Sequence, residues 1–381
     1  MDAFGFSTVP RISVGAGAAQ NLGAECAVLG IRRPLVVTDR GLVELGLIAP
    51  VLDAISQGCD AVAIFDGVAA DPAEAIVMSA LEVARAHRVD GLVAVGGGSS
   101  MDVAKVVSVL MTGDQSLQAL YGVDQVSSGR LPLVLVPTTA GTGSEVTPVA
   151  VITTGETTKA GVSSPVLLPD LALLDAELTL GLPRAATAMT GIDAMVHAIE
   201  AYTSRIRKNP ISDMLALRAL RLLSSNIETV LDNPSDIDAR EAMLLGSMFA
   251  GQAFANAPVG AVHALAYPLG GHYHIPHGLS NSLMLPAVLA YNARAVEASY
   301  GELAGELPGD VLPSGDGLVS WFEQLILVSG LPTTLQAAGV PADDLPRLAA
   351  DAMLQQRLLV NNPVDVDEAT ALALYEQAWG G

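Results

Sequence analysis

The chain contains 381 residues, 51% of them hydrophobic, which is enough for two domains or for one large domain with a substantial core. Its formal net charge of −21 argues against nucleic acid as a partner, and no apolar run reaches the roughly 18–20 residues that a membrane span requires. Two cysteines without a CxxC motif exclude a disulfide framework, so Cys26 and Cys59 are predicted to be thiols in a reducing compartment.

The N-terminal half alternates short β-branched runs with helical stretches. Its first segment, MDAFGFSTVPRISVG, lacks the basic residues and apolar core of a signal peptide, which predicts a cytoplasmic location. Strands are predicted within residues 33–40, 59–67, 90–99 and 131–140, the first ending at Asp39, with helices at Pro72–Ala86 and Met101–Met111. This alternation is typical of a parallel, doubly wound, Rossmann-like sheet, which binds ligands at the carboxyl ends of its strands. Residues 1–182 are therefore predicted to form an α/β domain.

The pattern changes after Leu182, where Ala-, Leu- and Met-rich stretches with helical spacing follow one another. Residues 183–381 are predicted to form an all-α domain. Its helices are predicted at Ala185–Ser204, Pro210–Asn226, Asp238–Ala255 and Val262–Gly270. Helix breaks are predicted near Pro210, Pro234, Pro286 and Pro332, and a loop at Pro308–Gly317.

A glycine turn in the first half is a candidate anion site. The segment VAVGGGSSMDVAKVV places Gly96–Gly98 between a strand and a helix, and Ser99 or Ser100 is predicted to cap that helix. The N-terminal amides of the helix would then face an anion. The motif is neither GxGxxG nor a Walker P-loop, since Lys105 lies at the wrong spacing for the latter. A plain tight turn is the alternative.

A second polar turn follows the next predicted strand. The segment VPTTAGTGSEVTP gathers hydroxyl side chains around Gly141 and Gly143. Together with the glycine turn, it predicts a site that binds a diphosphate without charged side chains. The hydroxyls belong to Thr138, Thr139, Thr142 and Ser144. Asp39, at the end of an earlier strand, is a candidate for binding a ribose diol and for favouring NAD(H) over NADP(H). A surface loop, and a turn-forming aspartate, are the alternatives.

Histidines are concentrated in the second half, where HALAYPLGGHYHIPHG holds four of the six in the chain. The segment GIDAMVHAIEAY places Asp193 and His197 four residues apart, on one helix face. His263 lies in an apolar helical stretch, and His277 follows a proline in a predicted loop. Three imidazoles and one carboxylate suit Fe²⁺ or Zn²⁺ better than Mg²⁺ or Ca²⁺. The other two histidines, His272 and His274, are expected to line a cleft or face water.

Four motifs resemble those of the iron-containing, group III alcohol dehydrogenases over essentially the whole chain: GGGSSMDVAK, PTTAGTGSEVT, GIDAMVHAIEAYTS and HALAYPLGGHYHIPHGLSNSLMLP. The resemblance implies a dehydroquinate synthase-like architecture, in which the α/β domain binds NAD(P) and the helical domain binds Fe²⁺ or Zn²⁺. It also implies a homodimer or a larger homo-oligomer. By position, the implied metal ligands are Asp193, His197, His263 and His277. The implied cofactor residues are Gly97, Gly98, Ser99, Thr138, Thr139 and Thr142, with Lys159 near the nicotinamide ribose.

Two positions depart from the pattern of this family. Tyr267 stands where many members have a proton-relaying histidine, and a tyrosine hydroxyl can also pass a proton. Asp71 stands where many members have asparagine, beside the expected nicotinamide. Its carboxylate would favour a cationic or polyol substrate, or face solvent.

The predicted activity is metal-dependent hydride transfer between NAD(H) and a small alcohol or its aldehyde or ketone. A hydroxyacid–oxoacid transhydrogenase, with the same metal and a retained nicotinamide, is the main alternative. Asp193 speaks against a maleylacetate reductase, which typically has asparagine there, and against a dehydroquinate synthase, which has glutamate. His197 speaks against a glycerol dehydrogenase. A catalytically silent binding protein is a further alternative, and the sequence leaves the substrate, the metal and the working direction open.

Overall fold

The structure, a computed structural model, describes residues 3–155 and 158–380. The chain divides into two units. One consists of Ser7–Leu182, and the other begins at Pro183 and includes the short N-terminal segment that ends at Phe6. No helix among the described residues combines the length and the apolar character needed to cross a bilayer.

Parallel strands form the centre of the α/β unit. Its strands are β1 (Ile12–Val14), β2 (Pro34–Asp39), β3 (Ala63–Val68), β4 (Gly91–Gly96), β5 (Gly122–Val123), β6 (Leu133–Pro137), β7 (Val149–Thr154), β8 (Thr158–Ser163) and β9 (Leu171–Leu174). Within the described residues, six strands form a wholly parallel sheet in the order β1-β9-β6-β4-β2-β3. A smaller sheet has the order β5-β8-β7, with β7 and β8 antiparallel. The predicted parallel α/β sheet is confirmed.

Both faces of the large sheet are buried, which explains why its central strands are continuous apolar runs. Successive side chains of a strand point to opposite faces. Leu35 and Val37 of β2 accordingly pack into one hydrophobic core, whereas Val36 packs into the other. In β4, Leu92 joins the first core and Val93 the second.

The helices of this unit are α1 (Leu22–Val28), α2 (Arg40–Glu44), α3 (Ile48–Ser56), α4 (Glu74–Ala86), α5 (Gly98–Leu110) and α6 (Leu117–Leu120). The predicted cap by Ser99 or Ser100 is wrong, because α5 begins three residues earlier than the predicted Met101. Gly97 is its N-cap residue, so both serines lie inside the first turn. Strand β3 likewise begins at Ala63 rather than at the predicted Cys59.

The second unit is helical over its described residues, as predicted. Its helices are α7 (Arg184–Thr203), α8 (Pro210–Asp232), α9 (Ile237–Asn256), α10 (Ala261–Tyr273), α11 (His277–Ala293), α12 (Glu297–Ala304), α13 (Gly315–Ser329), α14 (Leu345–Ala352), α15 (Gln356–Leu359) and α16 (Glu368–Gly380). Asn209 caps α8 by accepting hydrogen bonds from the amides of Ile211 and Ser212, directly before the expected break at Pro210. The break predicted near Pro286 is wrong, since this residue lies inside α11.

A glycine sets the approach of α11 to α7. A Cβ atom at Gly278 would lie 2.4 Å from the carbonyl oxygen of Met189, which is backbone and has no flexible end to move aside. The first turn of α11 therefore packs directly against the backbone of α7. Met189 lies four residues before Asp193, so this contact holds His277 near the residues that α7 presents.

Candidate metal centre and cofactor site

Three helices of the second unit bring the four predicted metal ligands together. Helix α7 carries Asp193 and His197 one turn apart, α10 carries His263, and α11 begins at His277. One nitrogen or oxygen atom from each side chain lies within 4.8 Å of the others. The Oδ1 atom of Asp193 lies 3.8 Å from His263 Nε2 and 3.7 Å from His277 Nε2.

The cluster is enclosed on one side and open on the other. The ring of His197 stacks on Phe254, with 4.4 Å between centroids, and on His263, with 4.7 Å. Asp193, His197 and His263 are buried, whereas the side chain of His277 is 31% exposed. His277 is therefore the member of the cluster with the most access to solvent.

Glu200, which sequence reasoning missed, orients His263. Its Oε2 atom lies 2.6 Å from His263 Nδ1, and its Oε1 accepts a hydrogen bond of 2.7 Å from the amide of Val262. Burial lowers the pKa of His263, but the adjacent carboxylates of Glu200 and Asp193 together outweigh this effect and the net pKa is raised. A carboxylate on one ring nitrogen leaves the other nitrogen for a metal, as in most metal-binding histidines. The three-residue spacing from His197 to Glu200 places both on one helix face, and this spacing could have indicated Glu200 from the sequence.

Asn281, also missed, lies one turn after His277 and points at the centre of the cluster. Its Nδ2 atom is 2.5 Å from Asp193 Oδ1, 3.1 Å from His263 Nε2 and 3.3 Å from His277 Nε2. Burial raises the pKa of Asp193, but the imidazoles of His197, His277 and His263 and the Asn281 amide outweigh it and lower the pKa. An amide with two N–H groups cannot donate to all three of these atoms at once.

The residues of the cluster fit a transition metal. Three imidazole nitrogens and one carboxylate oxygen lie within 4.8 Å of one another, and this combination of atoms matches the ligands that Fe²⁺ or Zn²⁺ prefers. Metal bonds of roughly 2.0–2.2 Å from such atoms place neighbouring donors 3–4 Å apart, in line with the separations of Asp193 Oδ1 from His263 and His277.

The other histidines of the motif lie outside the cluster. His272 Nε2 is 2.5 Å from Asp351 Oδ2 of α14, so this histidine links α10 to α14. His274 is exposed and ends α10 in the left-handed conformation, with φ of 53°. Tyr267 lies one turn after His263, and its ring centroid is 6.0 Å from that of His277.

The two polar turns of the α/β unit lie side by side. Strands β4 and β6 are neighbours, Gly96 pairs with Pro137 at their carboxyl ends, and the amide of Thr138 donates to the Gly96 carbonyl at 3.0 Å. Helix α5 starts at this edge with Gly97 as its N-cap residue, which has no side chain to satisfy the first amides of the helix. Those amides are therefore available to an anion.

The glycines keep this edge narrow and lined by backbone. A Cβ atom at Gly98 would lie 2.9 Å from Cγ2 of Thr142, and one at Gly97 would lie 3.6 Å from Oγ1 of Thr139. Gly143 adopts φ of 59°, a left-handed conformation that glycine adopts without strain. At Gly98, backbone amides and threonine hydroxyls thus lie where a Cβ atom would crowd Thr142, an arrangement that fits a diphosphate without a cationic side chain.

Asp39 and Lys159 have contacts of their own. Asp39 ends β2 at the same carboxyl edge, and its Oδ1 caps α2 by accepting from the amide of Leu42 at 3.0 Å. Arg40, the first residue of α2, is exposed. Lys159 lies on β8, in the smaller sheet, and its Nζ is 2.6 Å from Asp71 Oδ1. The carboxylate that departs from the family pattern is therefore in an ion pair, with its backbone in the left-handed region at φ of 51°.

Comparisons with known proteins identify the family of the chain. The sequence profile described as "Iron-containing alcohol dehydrogenase" matches residues 10–176, and that described as "Fe-containing alcohol dehydrogenase family, C-terminal" matches residues 187–379. Long-chain-alcohol dehydrogenase 1 of Geobacillus thermodenitrificans is 40% identical over 380 residues, which cover 98% of this chain and 96% of the relative.

Solved structures share the fold over the same extent. A 1,3-propanediol oxidoreductase superposes with a TM-score of 0.95 at 35% identity, covering 99% of this chain and all of the other. Sulfoacetaldehyde reductase from Bifidobacterium kashiwanohense, solved in complex with NAD⁺, has a TM-score of 0.91 at 28% identity, with both chains fully covered. The chain belongs to the iron-containing alcohol dehydrogenase family and is an oxidoreductase of the alcohol dehydrogenase type.

Proposed function

We propose that the enzyme interconverts a small primary alcohol and its aldehyde, with NAD(H) bound by the α/β unit and one Fe²⁺ or Zn²⁺ ion by the helical unit. The proposed metal ligands are Asp193, His197, His263 and His277. The observation that carries the proposal is the convergence of their donor atoms within 4.8 Å, with Glu200 behind His263. Intrinsic affinity favours Zn²⁺ over Fe²⁺, but metal availability decides in the cell.

The proposed mechanism divides the work between bound groups and side chains. When bound, the metal supplies a Lewis acid that lowers the pKa of the substrate hydroxyl, and NAD supplies the hydride acceptor. Glu200 fixes the tautomer and the orientation of His263, and Asn281 donates to Asp193. Tyr267, one turn from His263, is proposed to assist transfer of the alcohol proton to water without being essential for it.

The names of the relatives support primary alcohols as the substrate class. Besides the long-chain-alcohol enzyme, they include a 1,3-propanediol dehydrogenase of Klebsiella pneumoniae at 36% identity and a 4-hydroxybutyrate dehydrogenase of Cupriavidus necator at 38%. The substrates in these names share a primary hydroxyl and differ in everything beyond it. We therefore propose a shared reacting group and leave the substrate tail to experiment.

A panel of primary alcohols, diols and hydroxyacids, assayed with NAD⁺ on protein of measured metal content, tests this function. We expect alcohol-dependent NADH formation that a chelator abolishes and that added Fe²⁺ or Zn²⁺ restores. Turnover of a hydroxyacid–oxoacid pair without net NADH release, on protein that retains its nicotinamide, would identify a transhydrogenase instead. Metal-loaded protein that binds NAD⁺ but oxidises none of the panel would contradict the proposal.

Asp39 is proposed to set the preference for NAD(H) over NADP(H). It ends β2 beside the proposed diphosphate site, and a 2′-phosphate near its carboxylate would meet a like charge. We expect Asp39→Gly to raise kcat/KM for NADP⁺ relative to NAD⁺ by at least about tenfold, or roughly 1.4 kcal/mol. Asp39→Asn removes the charge but keeps an acceptor for the Leu42 amide, so it separates the effect of the charge from the effect of losing the helix cap. A wild-type enzyme that uses both cofactors equally, with no response to either change, would refute this role.

A further inference from the structure

A lysine ammonium is completely buried beneath the proposed cofactor site. Lys105 lies on α5, two turns after Gly98, and its side chain is 0% exposed. Its Nζ atom donates to Ser144 Oγ at 2.8 Å, to Thr147 Oγ1 at 3.3 Å and to the Val149 carbonyl at 2.8 Å. All three acceptors belong to one segment, which leads from the second polar turn into β7.

The hydrogen-bonding capacity of Lys105 is used up by these contacts. An ammonium group has three N–H donors, and each has an acceptor in the segment from Ser144 to Val149. No donor remains for a phosphate. Although a lysine that follows a glycine-rich turn resembles a phosphate ligand, this one can act on a cofactor only through the loop that it holds.

Asp102 extends the connection between α5 and the loop. The Ser144 hydroxyl donates to Asp102 Oδ1 at 2.7 Å, and the amide of Val151 donates to Asp102 Oδ2 at 2.9 Å. Asp102 Oδ1 lies 3.9 Å from the Lys105 ammonium, so Ser144 bridges the two charges. Helix α5 thus presents its N-terminal amides at one end and, one to two turns later, fastens the neighbouring turn.

We propose that Lys105 is a positioning residue for the cofactor, which keeps the loop Thr138–Thr147 in register with the glycine turn at the start of α5. This inference rests on the proposed binding of NAD(H) at these two turns. It explains the burial of a lysine in a chain that has only three, at positions 105, 159 and 208. Thr142 next to Gly98 is one of the places where the two turns meet, and Lys105 holds the loop two residues further along, at Ser144.

Removing the ammonium would leave several groups without a partner. Burial removes the hydration of the Lys105 ammonium and lowers its pKa to about 8, and the nearby carboxylates of Asp102 and Glu145 oppose this shift. In Lys105→Met, the Thr147 hydroxyl and the Val149 carbonyl lose their donor and Asp102 loses its counter-charge. Buried polar groups recover partners by moving towards water or towards each other. The loop is expected to shift with them.

The test is direct NAD⁺ binding by the metal-loaded protein, together with steady-state kinetics. We expect Lys105→Met to raise the Kd and KM for NAD⁺ at least about tenfold. Metal content and the KM for the alcohol should stay at wild-type values, and kcat at saturating NAD⁺ should fall less than about threefold. The matched control is Val107→Ala, since Val107 is buried on the same helix but points to a different face. It should lower the melting temperature without changing NAD⁺ affinity.

The possible outcomes separate this inference from the proposed function. A Lys105→Met protein that is less stable but binds NAD⁺ like the wild type would overturn the positioning role alone. A wild type that binds neither NAD⁺ nor NADP⁺ would overturn both. If Lys105→Met does not fold, Ser144→Ala removes only the bridging hydroxyl. It should raise the Kd for NAD⁺ about three- to tenfold, and an unchanged Kd would overturn the inference.

Discussion

His263→Ala should abolish metal binding and lower kcat by at least about a thousandfold while both units stay folded. The Lewis acid contributes several kcal/mol of transition-state stabilisation, which corresponds to a factor of this size. The substitution removes one of four donors and leaves the buried Glu200 carboxylate without its imidazole partner. Elemental analysis and kcat measure the loss, and NAD⁺ titration checks that the α/β unit, Ser7–Leu182, is intact.

The matched control for this experiment is His272→Ala. His272 lies on the same helix and contacts a carboxylate, Asp351, but is not one of the converging donors. It should keep metal and most activity, although the link between α10 and α14 is lost. A His263→Ala enzyme with full metal occupancy and wild-type rate would show that the ligand assignment is wrong.

Gly98→Val should weaken NAD⁺ binding at least about a hundredfold, or roughly 2.7 kcal/mol. A Cβ at this position would lie 2.9 Å from Thr142 Cγ2 and would stand beside the first amides of α5, where the diphosphate is proposed to bind. The added methyl groups of valine widen the gap between the two turns and cover those amides. Isothermal titration with NAD⁺ measures the change, and metal content should be unaffected because the metal cluster lies in the other unit.

Gly129→Val provides the control for the glycine experiment. Gly129 lies in the same unit, and a Cβ there would have no atom within 4 Å apart from those of its two neighbours in the chain. It should bind NAD⁺ like the wild type. A Gly98→Val protein whose Kd stays within about threefold of the wild type would place the diphosphate elsewhere.

The central strands were predictable because their sequences carry the signal of burial on both faces. Strand β2 lies at Pro34–Asp39, as its apolar run and terminal aspartate predict. Strands β7 and β8 were not predicted, because β8 has mixed polar and small residues, and only Val162 is buried among them. The two strands pair with each other as an antiparallel hairpin, and the sequence pattern of neither segment indicates this pairing.

The candidate metal site was predictable in its ligand types but not in its supporting residues. Asp193 and His197 share a helix face, which spacing alone reveals. Asn281 and Glu200 acquire their roles only when α7, α10 and α11 pack together, since each contacts a residue from a different helix. His277 was predicted to lie in a loop after Pro276, yet α11 begins at this histidine.

Pro286 shows the limit of local rules in the same region. A proline inside a helix removes one backbone hydrogen bond and disfavours the preceding turn. Helix α11 nevertheless continues through it, because Leu285 and Ala287 on either side are buried in the packed helical unit. Tertiary packing outweighs the local preference here, and no single-sequence pattern carries that information.

The contact between Gly278 and Met189 affects how this enzyme can diversify. The distance between α11 and α7 is set by a contact between the backbones of the two helices. A larger residue at position 278 therefore cannot be accommodated by making a neighbouring side chain smaller. A substitution of Gly278 therefore cannot be compensated by a second substitution at a neighbouring side chain. Evolution or engineering can exchange the ligands themselves or reshape the exposed side near His277. The distance between α7 and α11, which carry three of the proposed ligands, is expected to stay the same in such variants because the backbone sets it.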